Sequence, residues 1–229
     1  MTASSRIDPQ HDDAARWAAS LVSIILPTWN RAAVLERAID SVRAQTHEAW
    51  ELIVEDDGSD DETSALLVRL SAEEPRLVLC GHDRWGPGAS RNHGLTHARG
   101  VYVTYLDSDD EYLPAHLALR VAWMEAHPDV DLVHGGVVVV GPPGSDTVAD
   151  VRDQRRRIAI ADCAVGGTFF ARAALLRAHG RWTDDYGEDY RLLHALEPHA
   201  RIVRVDFATY LYHRDGAPTR CDCASGNYL

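Results

Sequence analysis

The sequence predicts an α/β domain built on an open, mostly parallel sheet flanked by helices. Apolar runs of strand length alternate along the chain with segments whose apolar residues recur at helical spacing. The predicted strands Leu21–Leu26, Glu51–Val54 and Val101–Leu106 are each followed at once by a polar cluster. Because open α/β sheets bind ligands outside the carboxyl ends of their strands, these clusters indicate the expected binding edge.

The first half of the chain alternates regularly between strands and helices. The first strand stops at Pro27, and apolar residues from Val34 to Val42 recur at helical spacing, which predicts a helix over Ala32–Gln45. Gly100 is expected to cap the third helix, and Pro114 lies in the first turn of the fourth. The other elements of this half are a strand over Leu77–Cys80 and helices over Thr63–Leu70, Ala89–Ala98 and Pro114–His127.

The second half is less regular, and its tails are polar. An apolar run covers Val130–Val140, and a loop rich in Pro, Gly and Asp covers Gly141–Asp153. The remaining predicted elements are short strands over Gly166–Phe170 and Ile202–Val205 and helices over Ala173–His179 and Glu188–Leu196. Residues 1–20 form a predicted tail with a short helix from Asp12, and residues 215–229 form a second tail.

Composition excludes several classes of function. A net charge of −12 argues against nucleic-acid binding, because a duplex needs a basic face. All 23 basic residues are arginine, so P-loop proteins, Schiff-base enzymes and kinases, which depend on a lysine, are excluded. The cysteines form no disulfide framework in a chain of 229 residues, and Cys221 and Cys223 are a weak zinc pattern. With a polar N-terminus and no apolar run long enough to span a bilayer, a soluble cytoplasmic enzyme without a transmembrane segment is expected.

Asp107-Ser108-Asp109 follows a buried strand and is a candidate metal site, although acidic turns after strands are also common without a metal. Two carboxylates at a strand exit can turn toward one ion, and hard oxygen ligands suit Mg²⁺ or Mn²⁺. A phosphatase of the haloacid dehalogenase type is excluded, because it needs a downstream lysine. A Rossmann site at Gly86-Pro87-Gly88 fails as well, because Arg91 stands where that motif requires glycine.

Six segments in order resemble family 2 glycosyltransferases of the GT-A fold. They cover the chain from about Leu21 to Arg214, and together they are far more specific than any one of them. The segments are Val22–Arg31, Ala38–Thr46, Trp50–Ser59, Gly86–Gly94, Gly100–Pro114 and Gly187–Asp189. The resemblance implies a GT-A-like, mostly parallel sheet flanked by helices in a single domain.

The resemblance also implies a donor site, with residues 21–113 binding the nucleotide-sugar and residues 114–214 binding the acceptor. Asp57 would read the base edge, favouring uracil or thymine, whereas Asp56 either serves the same pocket or caps the next helix. Arg91 would lie near the donor phosphates. The other implied donor contacts are Pro27, Thr28, Trp29 and Asn30 near the nucleobase and Asp107 and Ser108 near the ribose.

The same resemblance implies the catalytic groups. Asp189 would be the general base that takes the proton of the acceptor hydroxyl, with Glu188 as the alternative. Asp109 would hold the divalent metal, and His213 would close over the metal and the diphosphate. The alternative interpretation of Asp189 is an acid in the first turn of a helix, where it interacts favourably with the helix dipole. The alternative for His213 is an ordinary surface or core histidine.

The sequence therefore predicts an inverting, metal-dependent glycosyltransferase that takes a sugar from a nucleotide diphosphate, with a UDP-sugar favoured. The acceptor would be a small molecule, a glycan or a carrier-linked group. Two alternatives stay open: a sugar nucleotidyltransferase and a non-catalytic nucleotide-diphosphate-binding partner protein. The sugar, the linkage and the oligomeric state have no signature in the sequence.

Overall fold

The computed structural model describes residues 20–214. The helices are α1 (Leu35–Arg43), α2 (Thr63–Glu73), α3 (Pro87–His97), α4 (His116–Ala126), α5 (Ala173–His179) and α6 (Glu188–Leu196). The first six strands are β1 (Val22–Thr28), β2 (Trp50–Asp56), β3 (Leu77–Gly81), β4 (Tyr102–Tyr105), β5 (Glu111–Tyr112) and β6 (Leu132–His134). The others are β7 (Val137–Val140), β8 (Thr147–Ala149), β9 (Arg157–Ala159), β10 (Phe170–Arg172), β11 (Ile202–Arg204) and β12 (Tyr210–His213).

The main sheet has seven strands in the order β11-β6-β10-β4-β1-β2-β3. Its strands pair in parallel except β10, which is antiparallel to both β4 and β6. The ends of β1, β2 and β4 therefore lie at one edge of the sheet. The fold class predicted from the sequence is confirmed.

The core occupies both faces of this sheet. Alternate residues of β1 separate to the two faces, so Ile24 packs on one side and Ile25 on the other. One face is covered by α1, α2 and α4, and the other by α3, α5 and α6. Leu35, Ile39 and Val42 of α1 are fully buried, and each contributes roughly 1.5–3 kcal/mol by leaving water.

A second, smaller sheet joins distant parts of the chain at the end of β4. Its order is β5-β12-β7, with β12 antiparallel to β5 and parallel to β7. The buried guanidinium of Arg120 anchors it, donating to Thr209 Oγ1 at 2.8 Å and to the Gly135 carbonyl at 3.0 Å. This sheet holds the acidic segment after β4 against the last described strand.

Several local predictions differ from the structure. Gly166–Phe170 is wrong as a strand, because Gly166–Thr168 forms a 3-10 turn and the strand begins at Phe170. The run Val130–Val140 is divided into two strands by Gly135 and Gly136, whose φ angles of 104° and 82° no extended strand accommodates.

Other differences concern helix ends and loops. Gly100 does not cap a helix, since α3 ends at His97 and Gly100 lies against the carbonyl of Leu21, where a Cβ atom would be 2.6 Å away. The fourth helix begins at His116, two residues after Pro114. The predicted loop Gly141–Asp153 contains the strand β8, which pairs antiparallel with β9 beyond the end of that loop.

Two further expectations concern parts of the chain at or near its ends. The short helix from Asp12 and the Cys221–Cys223 pair lie outside the described residues. Among residues 20–214, no helix combines the length and the apolar character that crossing a bilayer requires.

Candidate donor and catalytic site

The ends of β1 and β2 are fastened to each other by side chains. Asn30 adopts a left-handed conformation with φ of 50°, which few residues other than glycine tolerate. Its amide nitrogen donates to Asp60 Oδ1 at 2.6 Å, and its amide oxygen accepts from the Asp60 backbone N–H at 2.9 Å. Pro27 and Thr28 are buried just before this turn, and the Thr28 hydroxyl has no hydrogen-bond partner in residues 20–214.

Asp56 and Asp57, although adjacent, face different surroundings. Asp56 accepts hydrogen bonds from the Ser59 hydroxyl and the Ser64 hydroxyl, each at 2.6 Å, and so holds the turn into α2. Asp57 is buried and accepts from the backbone N–H groups of Trp85 at 2.5 Å and Gly86 at 2.9 Å. Asp56 therefore stabilises the turn before α2, but it does not cap that helix, whose N-cap residue is Glu62.

The segment 82–86, which we call the β3–α3 loop, lies over the predicted base pocket. The Arg84 guanidinium stacks on the Trp29 ring, with its central carbon 3.5 Å from the ring centroid. His82 Nδ1 lies 3.2 Å from Asp57 Oδ1, and the His82 and Trp85 rings stack at 3.9 Å. Trp29 and Asp57, two of the residues predicted to contact the base, are therefore engaged by this loop.

The acidic segment after β4 splits into exposed and buried carboxylates. The side chains of Asp107 and Asp109 are about one-third exposed, while Ser108 and Asp110 are buried. Burial, followed by the charge of Asp107, raises the pKa of Asp109. The same causes raise the pKa of Asp110 well above its ordinary value. Like charges crowded at this point favour a bound cation.

Asp110 and His213 connect the acidic segment to β12. Asp110 accepts from the Tyr210 hydroxyl at 2.6 Å and from the His213 backbone N–H at 2.8 Å. His213 Nε2 is 2.7 Å from Glu111 Oε1. His213 thus lies beside Asp110 and Glu111, which directly follow the Asp-x-Asp segment.

Arg91 lies at the centre of the site, buried on α3. Its Nη2 atom donates to Asp107 Oδ1 at 2.6 Å, and Nη1 is 3.8 Å from Glu188 Oε1. The guanidinium also lies over the Trp182 ring, 4.6 Å from its centroid. Burial alone would lower the pKa of Arg91, but the surrounding carboxylates raise it, so the residue stays charged.

Asp189 is in the first turn of α6, beside Glu188. Burial raises its pKa to about 8, and Glu188 and Asp107 add to the increase while Arg91 opposes it. A Cβ atom on Gly166 would lie 2.5 Å from Asp189 Oδ1 and 2.5 Å from the Trp182 ring. The absent side chain of Gly166 therefore makes room for both groups. A carboxyl group with a pKa near neutrality has the property that a general base requires.

Comparison with known proteins identifies this arrangement. A sequence model described as "Glycosyl transferase family 2" matches residues 23–205. The chain belongs to that family. TarS 1–349 of S. aureus in complex with UDP-GlcNAc superposes with a TM-score of 0.69 at 22% identity, covering 90% of this chain and 62% of that one. A mannosyltransferase of Pyrobaculum calidifontis in complex with GDP-Man and Mn²⁺ gives 0.67 at 23% identity, covering 92% and 64%. The fold is GT-A.

Curated relatives match about half of the chain. A Campylobacter jejuni protein named GalNAc(5)-diNAcBac-PP-undecaprenol beta-1,3-glucosyltransferase is 39% identical over 99 residues, which is 42% of this chain and 32% of that protein. The Escherichia coli UDP-Glc:alpha-D-GlcNAc-diphosphoundecaprenol beta-1,3-glucosyltransferase WfgD is 32% identical over 120 residues, 52% of this chain and 47% of that protein. The matched regions are thus a third to a half of these relatives.

The structure brings most predicted residues to one edge of the main sheet, and it adds others that the sequence did not single out. Arg31 Nη2 is 3.8 Å from Asp109 Oδ2, and Arg37 Nη2 donates to the Asp109 carbonyl at 2.5 Å. Arg31 lies in the turn shortly after the end of β1, so the rule of polar residues near strand ends would have found it. Trp182 lies in a loop with no such pattern, and only the fold places it beside Arg91.

Proposed function

We propose that the chain is an inverting glycosyltransferase that transfers a sugar from a UDP-sugar to an acceptor hydroxyl, with Asp189 as the general base. One observation carries the proposal. Arg91 joins Asp107, at the end of β4, to Glu188, the neighbour of Asp189 at the start of α6. A cation for donor phosphates, a metal-binding carboxylate segment and a carboxyl group of raised pKa therefore meet at one sheet edge.

The donor pocket is proposed for residues 21–113. Asp57 is buried at the end of β2, and its carboxylate now accepts two backbone N–H groups, so a uracil imide N–H would replace donors of the same kind. Trp29 offers a ring face for stacking on the base. Two supporting facts come from similar proteins, since WfgD is named for UDP-Glc and TarS was solved with UDP-GlcNAc.

The residues at the acidic segment fit a divalent metal. The Asp109 carboxylate has Arg31 at 3.8 Å as an ion-pair partner, and burial followed by the charge of Asp107 raises its pKa. Asp107 and Asp109 would hold Mg²⁺ or Mn²⁺, with His213 and Asp110 beside them. Such an ion supplies charge that stabilises the departing diphosphate. Arg91, whose Nε and Nη1 make no hydrogen bond in residues 20–214, would add two donors to the same phosphates.

Asp189 then needs to perform only one proton transfer. As the acceptor oxygen attacks the anomeric carbon from the side opposite the diphosphate, its proton passes to the Asp189 carboxylate, and the bond to the diphosphate breaks. Because the diphosphate leaves as an anion without being protonated, no second acid is needed on the far side. Attack from the opposite side inverts the anomeric configuration.

The acceptor is proposed to bind residues 114–214, as a sugar attached to a diphosphate-bearing carrier. Both named relatives act on glycans linked through diphosphate to undecaprenol. Arg155 and Arg156 are exposed in the loop before β9, where they could meet an anionic carrier. Gly166 and Gly167 are not proposed as acceptor contacts, because Asp189 and the Tyr210 ring occupy the space beside them.

Calorimetry tests the donor assignment directly. UDP, dTDP, GDP and ADP are titrated into the chain with Mn²⁺ and again with a chelator. We expect UDP to bind most tightly and only with metal, and Asp57→Asn to reduce the preference for UDP over GDP. Tightest binding of GDP would overturn the choice of uracil, and absence of binding by all four would overturn the donor site. The anomeric configuration of the product, read by NMR, tests inversion.

The two alternatives make different predictions. A non-catalytic nucleotide-diphosphate binder would keep metal-dependent UDP binding but show no transfer that depends on Asp189. A sugar nucleotidyltransferase would require a Gly-rich basic loop after β1, and the turn Pro27–Asn30 is not one.

A further inference from the structure

A second group of metal-ligating side chains lies away from Asp109, between the main sheet and α3. It consists of Glu55 on β2, Cys80 on β3, and His93 and His97 on α3, and we call it the Cys80 cluster. One ligand atom from each of these four residues lies within 4.8 Å of all the others. The proposed glycosyl transfer uses none of them.

The backbone places these residues together. Glu55 and Cys80 are paired neighbours on adjacent parallel strands, so their side chains leave the same face of the sheet. His93 and His97 are one turn apart and share a face of α3. Gly94 allows the helix to approach, because a Cβ atom there would meet Glu55 Cγ at 3.4 Å and Ile25 Cγ2 at 2.6 Å.

The two imidazoles have a separation that suits one ion. His93 Nε2 and His97 Nε2 are 3.4 Å apart. Two nitrogens bound to a tetrahedral Zn²⁺ at about 2.0–2.1 Å would be roughly 3.3–3.4 Å apart. Their rings meet edge to face at 74°, with centroids 4.8 Å apart. This geometry brings both nitrogens near a common point.

Glu55 supports the histidine that lies deeper. His93 Nδ1 is 2.9 Å from Glu55 Oε2, and the Glu55 side chain is fully buried. A carboxylate on the second ring nitrogen fixes the tautomer in which Nε2 is free to bind a metal. Burial decreases from Glu55, through the partly buried Cys80 and His93, to the exposed His97, which gives an ion a route from solvent.

We propose that the Cys80 cluster is a binding site for Zn²⁺ or a similar borderline-soft ion, distinct from the hard-ion site at Asp109. The ligands are Cys80 Sγ, His93 Nε2 and His97 Nε2, with Glu55 as the fourth ligand or as the partner of His93. One thiol plus two imidazoles favours Zn²⁺ over Mg²⁺. Binding replaces the thiol proton of Cys80, which is released to solvent.

The bound ion would tie α3 to β2 and β3. His82 Nε2 is 3.3 Å from Glu55 Oε2, and His82 Nδ1 is 3.2 Å from Asp57 Oδ1. The Cys80 cluster is therefore contiguous with the proposed base pocket, and it fastens the helix that carries Arg91. Its role would be to hold the donor-site elements in place.

Titration of the full chain with Co²⁺ tests the site without any activity measurement, because a thiolate bound to Co²⁺ gives a charge-transfer absorption band. We expect one equivalent of ion per chain to produce the band. Cys80→Ser should abolish it, and His97→Ala should weaken binding at least tenfold, since His97 is exposed and its loss leaves the core intact. Zn²⁺ should displace Co²⁺ and raise Tm.

Two controls decide the assignment. His127→Ala removes another exposed histidine near a helix end and should leave the titration unchanged. The double variant Cys221→Ser, Cys223→Ser removes the two thiols of the C-x-C sequence, and the band should persist. A band that survives Cys80→Ser, or a chain that gives no band with Co²⁺, would overturn the proposal. Asp109→Asn should leave the band intact, which separates this site from the proposed donor metal.

Discussion

Asp189 and Asp109 both have carboxyl groups of raised pKa, yet their neighbours differ. Asp189 has Glu188 beside it and Arg91 facing it, at the start of α6. Asp109 has Asp107 beside it and Arg31 at 3.8 Å, beyond the end of β4. The first position suits proton transfer from an acceptor, and the second suits a cation on the donor diphosphate.

Exchange of each acid for its amide should separate these two roles. Asp189→Asn should reduce kcat by about 10²–10⁴ and change UDP affinity little, because only the proton acceptor is lost. Asp109→Asn should weaken metal-dependent UDP binding instead. Calorimetry and initial rates measure both effects, with the exposed Asp185→Asn as a matched control. Equal loss of UDP binding in the two variants would contradict this division.

At the scale of elements, the β3–α3 loop is the feature that a donor in the proposed pocket would have to rearrange. Its Arg84 covers a face of the Trp29 ring, and two of its backbone N–H groups donate hydrogen bonds to the Asp57 carboxylate. A base that stacks on that face has to displace an exposed cation–π contact, which costs about 0.5–1 kcal/mol.

Removal of this contact should make donor binding easier. We expect Arg84→Ala to tighten UDP binding by about twofold to fivefold, which corresponds to the free energy of the cation–π contact that no longer has to be broken. Isothermal titration with Mn²⁺ measures the change, and Arg99→Ala, an exposed arginine at the opposite end of the sheet, provides the control. Weaker binding by Arg84→Ala would mean that the guanidinium contacts the nucleotide.

The 3-10 turn before β10 makes a second prediction at this scale. In Gly166→Ala the new methyl group would press on Asp189 Oδ1 and Trp182, so we expect kcat to fall and stability to drop by about 1–3 kcal/mol. Denaturant unfolding and initial rates report the two effects. Gly81→Ala is the control, because its Cβ would meet only the Asp56 carbonyl, at 4.0 Å. Unchanged kcat in Gly166→Ala would show that Asp189 does not depend on this turn.

Sequence patterns predicted helices and strands well where the apolar pattern repeats over a long segment and the packing is local. The bounds of α5 and α6 agree with the prediction residue for residue, and each predicted strand of the first half is present. The structural roles of glycines were predicted less well. Gly100 and Gly166 are required by close approach of other chain segments, and no local pattern distinguishes that requirement from a helix cap or a strand.

At the scale of the molecule, carboxyl groups of raised pKa should make the fold less stable as pH rises. The Asp189 pKa is about 8 in the folded chain and 3.8 for an unperturbed side chain. Between these values the folded state holds a proton that the unfolded state has lost, so the contribution of Asp189 to stability is greatest below about pH 4 and is lost as pH approaches 8. Asp110 acts in the same direction.

Replacement of Asp189 should therefore flatten the pH dependence of stability. Over pH 4–8 the free energy of unfolding of the unaltered chain should decrease more steeply than that of Asp189→Asn, by at most about 1.4 kcal/mol per pH unit. Urea unfolding at a series of pH values measures both slopes. Identical slopes would show that the Asp189 carboxyl group titrates near its ordinary pKa.

The site as a whole was predictable only in part. Parallel strands end at one edge, so Asp57 and Asp107 could be expected near each other from order alone. The contact of Arg91 with Glu188 joins residues 97 positions apart, and the contact of Arg84 with Trp29 depends on a loop conformation. Such pairings follow from tertiary packing, which single-sequence patterns do not encode.

The second sheet has a consequence for how the chain becomes functional during its synthesis. Asp110 is held by Tyr210 and by the backbone of His213, and β12 is the last described strand. The family match ends at residue 205, five residues before that strand begins. When the ribosome has made the last strand of the main sheet, it has therefore not yet made β12, the strand that holds the acidic segment in place. The acidic segment after β4, although made earlier in synthesis, gains these contacts only once β12 has been made.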